Sequence, residues 1–263
     1  MPFTLTKHHG LGNDFLVLLD LDATATAGPD LARAVCDRTR GIGADGLIRA
    51  RPDAHGADVA MELWNSDGSR AELSGNGLRC LAQALVLAGV TGPALTVATA
   101  RGVHALTVTG TEQPGVHEVA ADMGPVDLEG EATDWLLPGV ADAAFARIEN
   151  PHLVLLVPEP RTAPDLEEVG RAANDAVRGG INVEIIGVRG DDLVLEVFER
   201  GAGRTQACGT GACAAAAVAR DWGLVGERVT VHMPGGDARI GLGDSVTLAG
   251  PIVAVARLEY PWP

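Results

Sequence analysis

The sequence predicts an α+β protein of 263 residues built as two similar domains from an internal duplication, each a β-sheet wrapped around one central helix. Three observations predict it. A Gly-x-Gly helix start occurs at Gly75 to Gly77 and again, 134 positions later, at Gly209 to Gly211. Residues 62–102 laid over 196–236 at that constant shift, without a gap, give nine identities: Glu62/Glu196, Gly75/Gly209, Gly77/Gly211, Ala82/Ala216, Gly89/Gly223, Gly92/Gly226, Thr96/Thr230, Val97/Val231 and Gly102/Gly236. Both helical stretches are apolar nearly all round, so each belongs inside a domain with sheet around it.

Within each repeat the elements read strand, Gly-rich turn, helix, strand, strand. Residues 61–64 and 194–198 are apolar-rich strands, residues 78–88 and 212–222 are helices stopped by Gly89 and Gly223, and residues 94–98 and 228–232 are strands again. Pro- and Gly-rich punctuation at residues 110–115 and 124–130 marks the boundary between the repeats, giving domains 1–118 and 119–253.

Composition removes several classes of function. A formal charge of -15, with no basic run, argues against nucleic acid and anionic membrane surfaces as partners. The longest apolar run, residues 81–90, is interrupted by Gln83 and is too short to span a bilayer, and residues 1–10 lack an apolar leader; a soluble cytoplasmic protein is expected. Four cysteines without Cys-x-x-Cys spacing read as reduced thiols, neither a disulfide framework nor a metal site. Lys7 is the single lysine and lies beside the N-terminus, which argues against a pyridoxal-phosphate Schiff base and against a Walker loop. No cofactor and no metal are expected.

The residue best placed for chemistry is Cys208. It immediately precedes a helix N-terminus, where unpaired amides and the helix dipole favour anions and are expected to depress a thiol's pKa, and two glycines follow it. Cys36, Cys80 and Cys213 read as small buried hydrophobes. Asn13, Asn65, Asn76, Asn150 and Asn182 stand in turn-like contexts; with Arg200 they suit a zwitterionic amino acid, since amides donate and accept while Arg forks onto a carboxylate. His152 and Glu199 are candidates for tuning a thiol.

Taken together, the segments Gly10-Leu-Gly-Asn-Asp-Phe15, Arg40-Gly-Ile-Gly-Ala-Asp-Gly46, Asn65-Ser-Asp-Gly-Ser69, Gly75-Asn-Gly77, Asn150-Pro-His152, Asn182-Val183, Glu199-Arg-Gly-Ala-Gly203 and Ala207-Cys-Gly-Thr-Gly-Ala212 resemble, nearly end to end, the diaminopimelate epimerase family. The resemblance implies two domains, each a barrel-like mixed sheet around a central helix, with substrate in the cleft between them, the C-terminal segment 254–263 returned to the first domain, and a homodimer. It implies cofactor-independent interconversion of LL- and meso-diaminopimelate, in lysine and peptidoglycan precursor biosynthesis. Two cysteines on opposite faces of the α-carbon would remove and return its proton. By motif position Asn13, Asn65, Asn150, Asn182, Glu199 and Arg200 match substrate-binding residues. Gly75-Asn76 and Gly209-Thr210 would offer amides to the α-carboxylate, and His152 and Glu199 match positions that modulate the thiols.

Ser74 departs from the family pattern by standing where the first cysteine belongs. An alcohol is a far weaker acid than a thiol, so Ser74 is a poor base, although it could donate a proton relayed by water or Glu72. Cys80 does not replace it: six residues along a helix is about 9 Å, on another face. Four readings stay open: a serine-using epimerase, an engineered Cys-to-Ser form, a racemase, isomerase or lyase for another amino acid on this scaffold, and an inactive amino-acid-binding protein. Arg204 is a second departure, at a position commonly acidic in the family.

Overall fold

A computed structural model describes residues 3–71 and 73–261 of the chain. Glu72, the expected relay to Ser74, lies outside them. The chain divides into two compact units: residues 1–121 with 250–263, and residues 122–249.

The first unit contains β1 (Phe3–Gly10), β2 (Asn13–Leu19), α1 (Pro29–Cys36), β3 (Gly46–Arg51), β4 (Val59–Asn65), β5 (Arg70–Ala71), α2 (Gly75–Leu87), β6 (Ala94–Ala98), β7 (Val103–Gly110) and β8 (Val116–Asp122). The second contains β9 (Asp127–Glu131), β10 (Asp142–Ile148), β11 (Asn150–Leu156), α3 (Leu166–Ala176), β12 (Asn182–Arg189), β13 (Asp192–Glu199), β14 (Gly203–Thr205), α4 (Gly209–Asp221), β15 (Arg228–Met233), β16 (Gly236–Leu242) and the start of β17 (Val246–Tyr260).

The duplication is complete at the level of pairing. In the first unit β1–β2 is antiparallel, β2–β3 parallel, β3–β4 and β4–β5 antiparallel, β4–β6 parallel, and β6–β7 and β7–β8 antiparallel. The second unit repeats that order with β10–β11 antiparallel, β11–β12 parallel, β12–β13 and β13–β14 antiparallel, β13–β15 parallel, and β15–β16 and β16–β17 antiparallel. Each sheet curls towards closure. In the first unit β8 pairs with β17, whose later residues pair with β1 from Phe3↔Tyr260 to His9↔Val253. In the second, β9 lies on β10, and Met123 and Gly124 exchange 2.8 Å backbone bonds with Val246.

One helix fills each curled sheet. In α2 every residue from Gly75 to Leu85 is buried, and Leu78, Leu81 and Leu85 each contribute about 2 kcal/mol of apolar burial. Alanine dominates α4, with Ala212, Ala214, Ala215 and Ala216 fully buried, which lets the surrounding strands approach closely. Both helices run 13 residues, from Gly75 and from Gly209, and therefore begin three residues before the expected Leu78 and Ala212. The reason is local: the residue before each helix caps the third helical amide, so the glycines form the first turn rather than a loop ahead of it. The remaining helices are amphipathic and cover the sheets from outside. Leu31 and Val35 of α1 pack in the core of the first unit, and Leu166, Val169 and Ala173 of α3 in that of the second.

Candidate active site

The two central helices begin in the same way. Ser74 is the N-cap of α2, extended at φ -140°, ψ 121°, and its Oγ accepts the Gly77 N–H at 3.0 Å. Cys208 is the N-cap of α4 at φ -127°, ψ 116°, and its Sγ accepts the Gly211 N–H at 3.4 Å. With the third amide taken by the cap, the N–H groups of Gly75 and Asn76, and of Gly209 and Thr210, are those at each helix start without an intrahelical carbonyl.

A strand-borne asparagine supports each helix start. In the first unit Asn76 donates to Asn13 Oδ1 at 3.2 Å, and Asn13 donates to Asp45 Oδ2 at 2.7 Å. Asn76 is itself held by the buried guanidinium of Arg79 one turn along α2. In the second unit Asn150 donates to the Thr210 hydroxyl at 3.4 Å, and that hydroxyl lies 3.4 Å from Cys208 Sγ. The remaining expected site residues are held differently. Asn65 Nδ2 bonds Ser69 Oγ at 3.0 Å across its own turn. Asn182 Oδ1 accepts the Arg200 backbone N–H at 2.8 Å, while the exposed Arg200 guanidinium donates to the Gly179 carbonyl at 3.1 Å. Lys7 is engaged by Asp14 at 2.9 Å and by the Gly43 carbonyl at 2.6 Å. Arg204 is exposed and paired with Glu196 at 2.8 Å, which accounts for a basic residue there.

Behind the two helix starts the units differ sharply. His152 stands opposite Asn182 where β11 meets β12, with Glu184 two residues further along β12. In the first unit the corresponding ladder sets Phe15 opposite Gly46, with Ile48 two residues on. A methyl group placed on Gly211 would sit 2.5 Å from Glu184 Oε1, and one on Gly77 would sit 3.3 Å from Ile48 Cδ1, so Glu184 and Ile48 occupy equivalent places. The first unit therefore backs its helix start with an apolar pair. The second backs it with a fully buried His152–Glu184 pair, Nδ1 to Oε1 at 2.8 Å, whose other ring nitrogen meets Asn150 Oδ1 at 2.9 Å.

The electrostatics of Cys208 overturn one expectation. Its pKa is raised well above the ordinary value, first by burial and then by the carboxylates of Glu199 and Glu184, against which the Thr210 hydroxyl and the Gly211 amide pull only weakly. Desolvation of the charged form outweighs the helix N-terminus, so Cys208 rests as a thiol. Glu199 beside it is also pushed up, chiefly by burial, with hydrogen bonds from Thr205, at 2.6 Å, and from Cys208 opposing. A carboxyl shifted upward beside a thiol is suited to exchange a proton with it. Cys36 and Cys80 are buried thiols pushed up to about 12, Cys213 is fully buried, and none of the three lies at a helix start.

Sequence reasoning missed Glu184, Asp45 and Thr205. The signal for Glu184 was a lone acid in the strand Asn182-Val-Glu-Ile-Ile, and that for Asp45 lay inside the Arg40 to Gly46 segment. Among the described residues no cluster of His, Cys, Asp and Glu suited to a metal ion occurs, and no helix is long and apolar enough to cross a membrane.

Known proteins agree with this architecture. The chain is 38% identical to a diaminopimelate epimerase from Chromobacterium violaceum over 98% of this chain and 99% of that protein. It is equally 38% identical to an O-ureido-serine racemase from Streptomyces lavendulae, over 97% and 93%. Solved structures share the fold at low identity: a predicted epimerase from Pseudomonas aeruginosa has TM-score 0.78 at 16% identity over 99% and 100% of the two chains. A hydroxyproline epimerase from Agrobacterium vitis has TM-score 0.74 at 16% identity over 98% and 92%. The diaminopimelate epimerase pattern matches residues 5–129 and 145–250. With the duplicated capped helices and near full-length relatives, that match places this chain in the diaminopimelate epimerase family of isomerases.

Proposed function

We propose that the protein interconverts LL- and meso-diaminopimelate without a cofactor, with Cys208 as its principal proton-transfer group. The observation that carries this reading is the capping thiol of Cys208 beside Glu199, a carboxyl whose raised pKa fits it to take the thiol's proton. The thiolate so formed would remove the α-proton, and the free amides of Gly209 and Thr210 would face the carboxylate that gains charge in the carbanion. Ser74 would be the second proton-transfer group. Its Oγ already accepts an amide hydrogen, which leaves its own hydrogen to be donated and favours delivery over abstraction. Asn13, Asn65, Asn76, Asn150, Asn182, Gly75 and Arg200 would bind substrate, with His152 and Glu199 tuning the thiol. A homodimer in the cytoplasm is the expected setting, with domain limits at residues 118/119 and 253/254.

Racemisation of another amino acid is the second reading. The O-ureido-serine racemase relative at 38% identity and the alcohol at position 74 both support it. Incubation of LL-diaminopimelate in deuterated water separates the readings. Exchange at the α-carbon with inversion supports the epimerase, and exchange without inversion leaves Ser74 idle. An olefin or keto product indicates a lyase, and binding without exchange indicates a non-catalytic amino-acid-binding protein.

A further inference from the structure

We propose that Glu184 is a positioning residue that, through His152, Asn150 and Thr210, ties the proton of Cys208 to the proton on His152. The five side chains form one chain within residues 122–249, buried at both ends and half-buried at Asn150: Glu184 Oε1 to His152 Nδ1 at 2.8 Å, His152 Nε2 to Asn150 Oδ1 at 2.9 Å, Asn150 Nδ2 to Thr210 Oγ1 at 3.4 Å, and Thr210 Oγ1 to Cys208 Sγ at 3.4 Å. Glu184 and His152 are fully buried, and Glu184 Oε2 has no hydrogen-bond partner among the described residues. The carboxylate lies against Gly211 in the first turn of α4, where the helix dipole favours a negative charge.

The chain has two self-consistent arrangements. With Asn150 oriented as found, its amide donates to Thr210, whose hydroxyl donates to Cys208; its carbonyl accepts from His152 Nε2–H, and Nδ1–H is held by Glu184. This is the arrangement that can hold the Cys208 proton on His152: the sulfur, a thiol at rest with Glu199 beside it, becomes a thiolate once both ring nitrogens carry protons. With the Asn150 amide turned over, Cys208 S–H donates to Thr210, Thr210 donates to the Asn150 carbonyl, and the Asn150 amide donates to a bare Nε2. Passing from the second arrangement to the first removes one proton from Sγ and adds one to Nε2; Glu184 stays an anion and the proton count is unchanged. Glu184 makes this exchange possible by fixing the ring, with Nδ1 held at 2.8 Å and Nε2 left facing Asn150.

Glu199 on β13 is the other ionisable group facing Cys208, and it bears on the thiol directly rather than through this chain. On the other strands packed against α4, Arg147 of β10 pairs with Glu129, and His232 of β15 with Asp237 of β16, at the surface.

Relevance to catalysis rests on the reading that Cys208 moves a proton, but the test needs no substrate. The rate of Cys208 alkylation by iodoacetamide at pH 8.5, located by peptide mass spectrometry, is compared in the unsubstituted protein, E184Q, T210V and the double variant. A carboxylate acting only through space changes the rate by the same factor whether residue 210 is Thr or Val. Coupling through the chain makes the E184Q effect shrink by at least about threefold in the T210V background. Equal factors in the two backgrounds overturn the proposal. Should E184Q fail to fold, the nitrogen chemical shifts of His152 in the unsubstituted protein decide: a proton on Nδ1 of the neutral ring sustains the proposal, and one on Nε2 overturns it. If diaminopimelate shows no α-exchange while the alkylation coupling holds, only the functional reading fails.

Discussion

Ser74 Oγ accepts the Gly77 amide hydrogen at 3.0 Å, the same bond that Cys208 Sγ makes to Gly211 at 3.4 Å in the second copy of the fold. A thiol can therefore replace the alcohol at position 74 without losing the cap. Ser74→Cys is expected to leave thermal unfolding nearly unchanged and to raise epimerisation of diaminopimelate by at least about 100-fold, the usual worth of a competent acid or base. Ser74→Ala removes the cap and should cost about 1 kcal/mol of stability. Comparable turnover by the Ser74 and S74C proteins would show that the alcohol is no handicap.

The raised pKa of its thiol gives Cys208 a distinctive pH response. Because burial and the carboxylates of Glu199 and Glu184 hold its pKa well above the ordinary value, its thiolate fraction should climb about tenfold per pH unit across neutral and mildly alkaline conditions. Iodoacetamide labelling of Cys208 should follow that slope. Cys36 and Cys80, more completely enclosed than Cys208 and away from any helix start, should label more slowly at every pH below unfolding. A labelling plateau near pH 7 would mean that the helix start wins over desolvation after all. Cys208→Ala should reduce α-proton exchange by about 10² to 10⁴.

What the sequence revealed and what it hid have physical causes. The constant 134-residue shift exposed the duplication because α2 and α4 must start, cap and stop alike to sit inside equivalent sheets; they span Gly75–Leu87 and Gly209–Asp221 without a residue of slippage. Cys208 was legible because a cap position is local. Its raised pKa was not, since burial inside the curled sheet, and then the approach of Glu199 and Glu184 from β13 and β12, depend on a fold that spacing does not display. Asn150 was legible as a turn asparagine beside His152, but its engagement by Thr210, 60 residues on, depends on β11 passing under the start of α4.

A second histidine gives the first unit an acid-sensitive point. His8 is buried, its Nδ1 meets Gln83 Oε1 at 2.7 Å, and its Nε2 has no hydrogen-bond partner among the described residues. Burial lowers its pKa below the ordinary 6.5, with the Gln83 bond opposing and His117 adding to the fall. The folded state thus binds fewer protons than the unfolded state, so stability is full above pH 6.5 and is lost as pH falls through that value towards the folded pKa. Unfolding free energies from urea titrations between pH 8 and pH 5 should decline by up to about 1.4 kcal/mol per pH unit from this group, and His8→Gln should flatten that decline. An unchanged decline in H8Q would assign the acid sensitivity to other groups.

The glycines at the third helical position are equivalent in sequence but not in what surrounds them. Alanine in place of glycine inside a helix ordinarily gains about 0.5 to 1 kcal/mol. At Gly77 a methyl group would lie 3.1 Å from Ser74 Cβ and 3.3 Å from Ile48 Cδ1, tight contacts that a small shift of two side chains relieves. At Gly211 it would lie 2.5 Å from Glu184 Oε1, and Glu184 has no room to retreat because it is fully buried and tied to His152. Overpacking of that kind costs about 1 to 3 kcal/mol, which exceeds the helix gain. Gly77→Ala should therefore be nearly neutral in a urea titration. Gly211→Ala should be clearly destabilised and, by displacing the Glu184 carboxylate from His152, should also alter the pH dependence of Cys208 alkylation. Equal stability losses at the two positions would mean that Glu184 yields to the methyl group and is not fixed in place by the helix start.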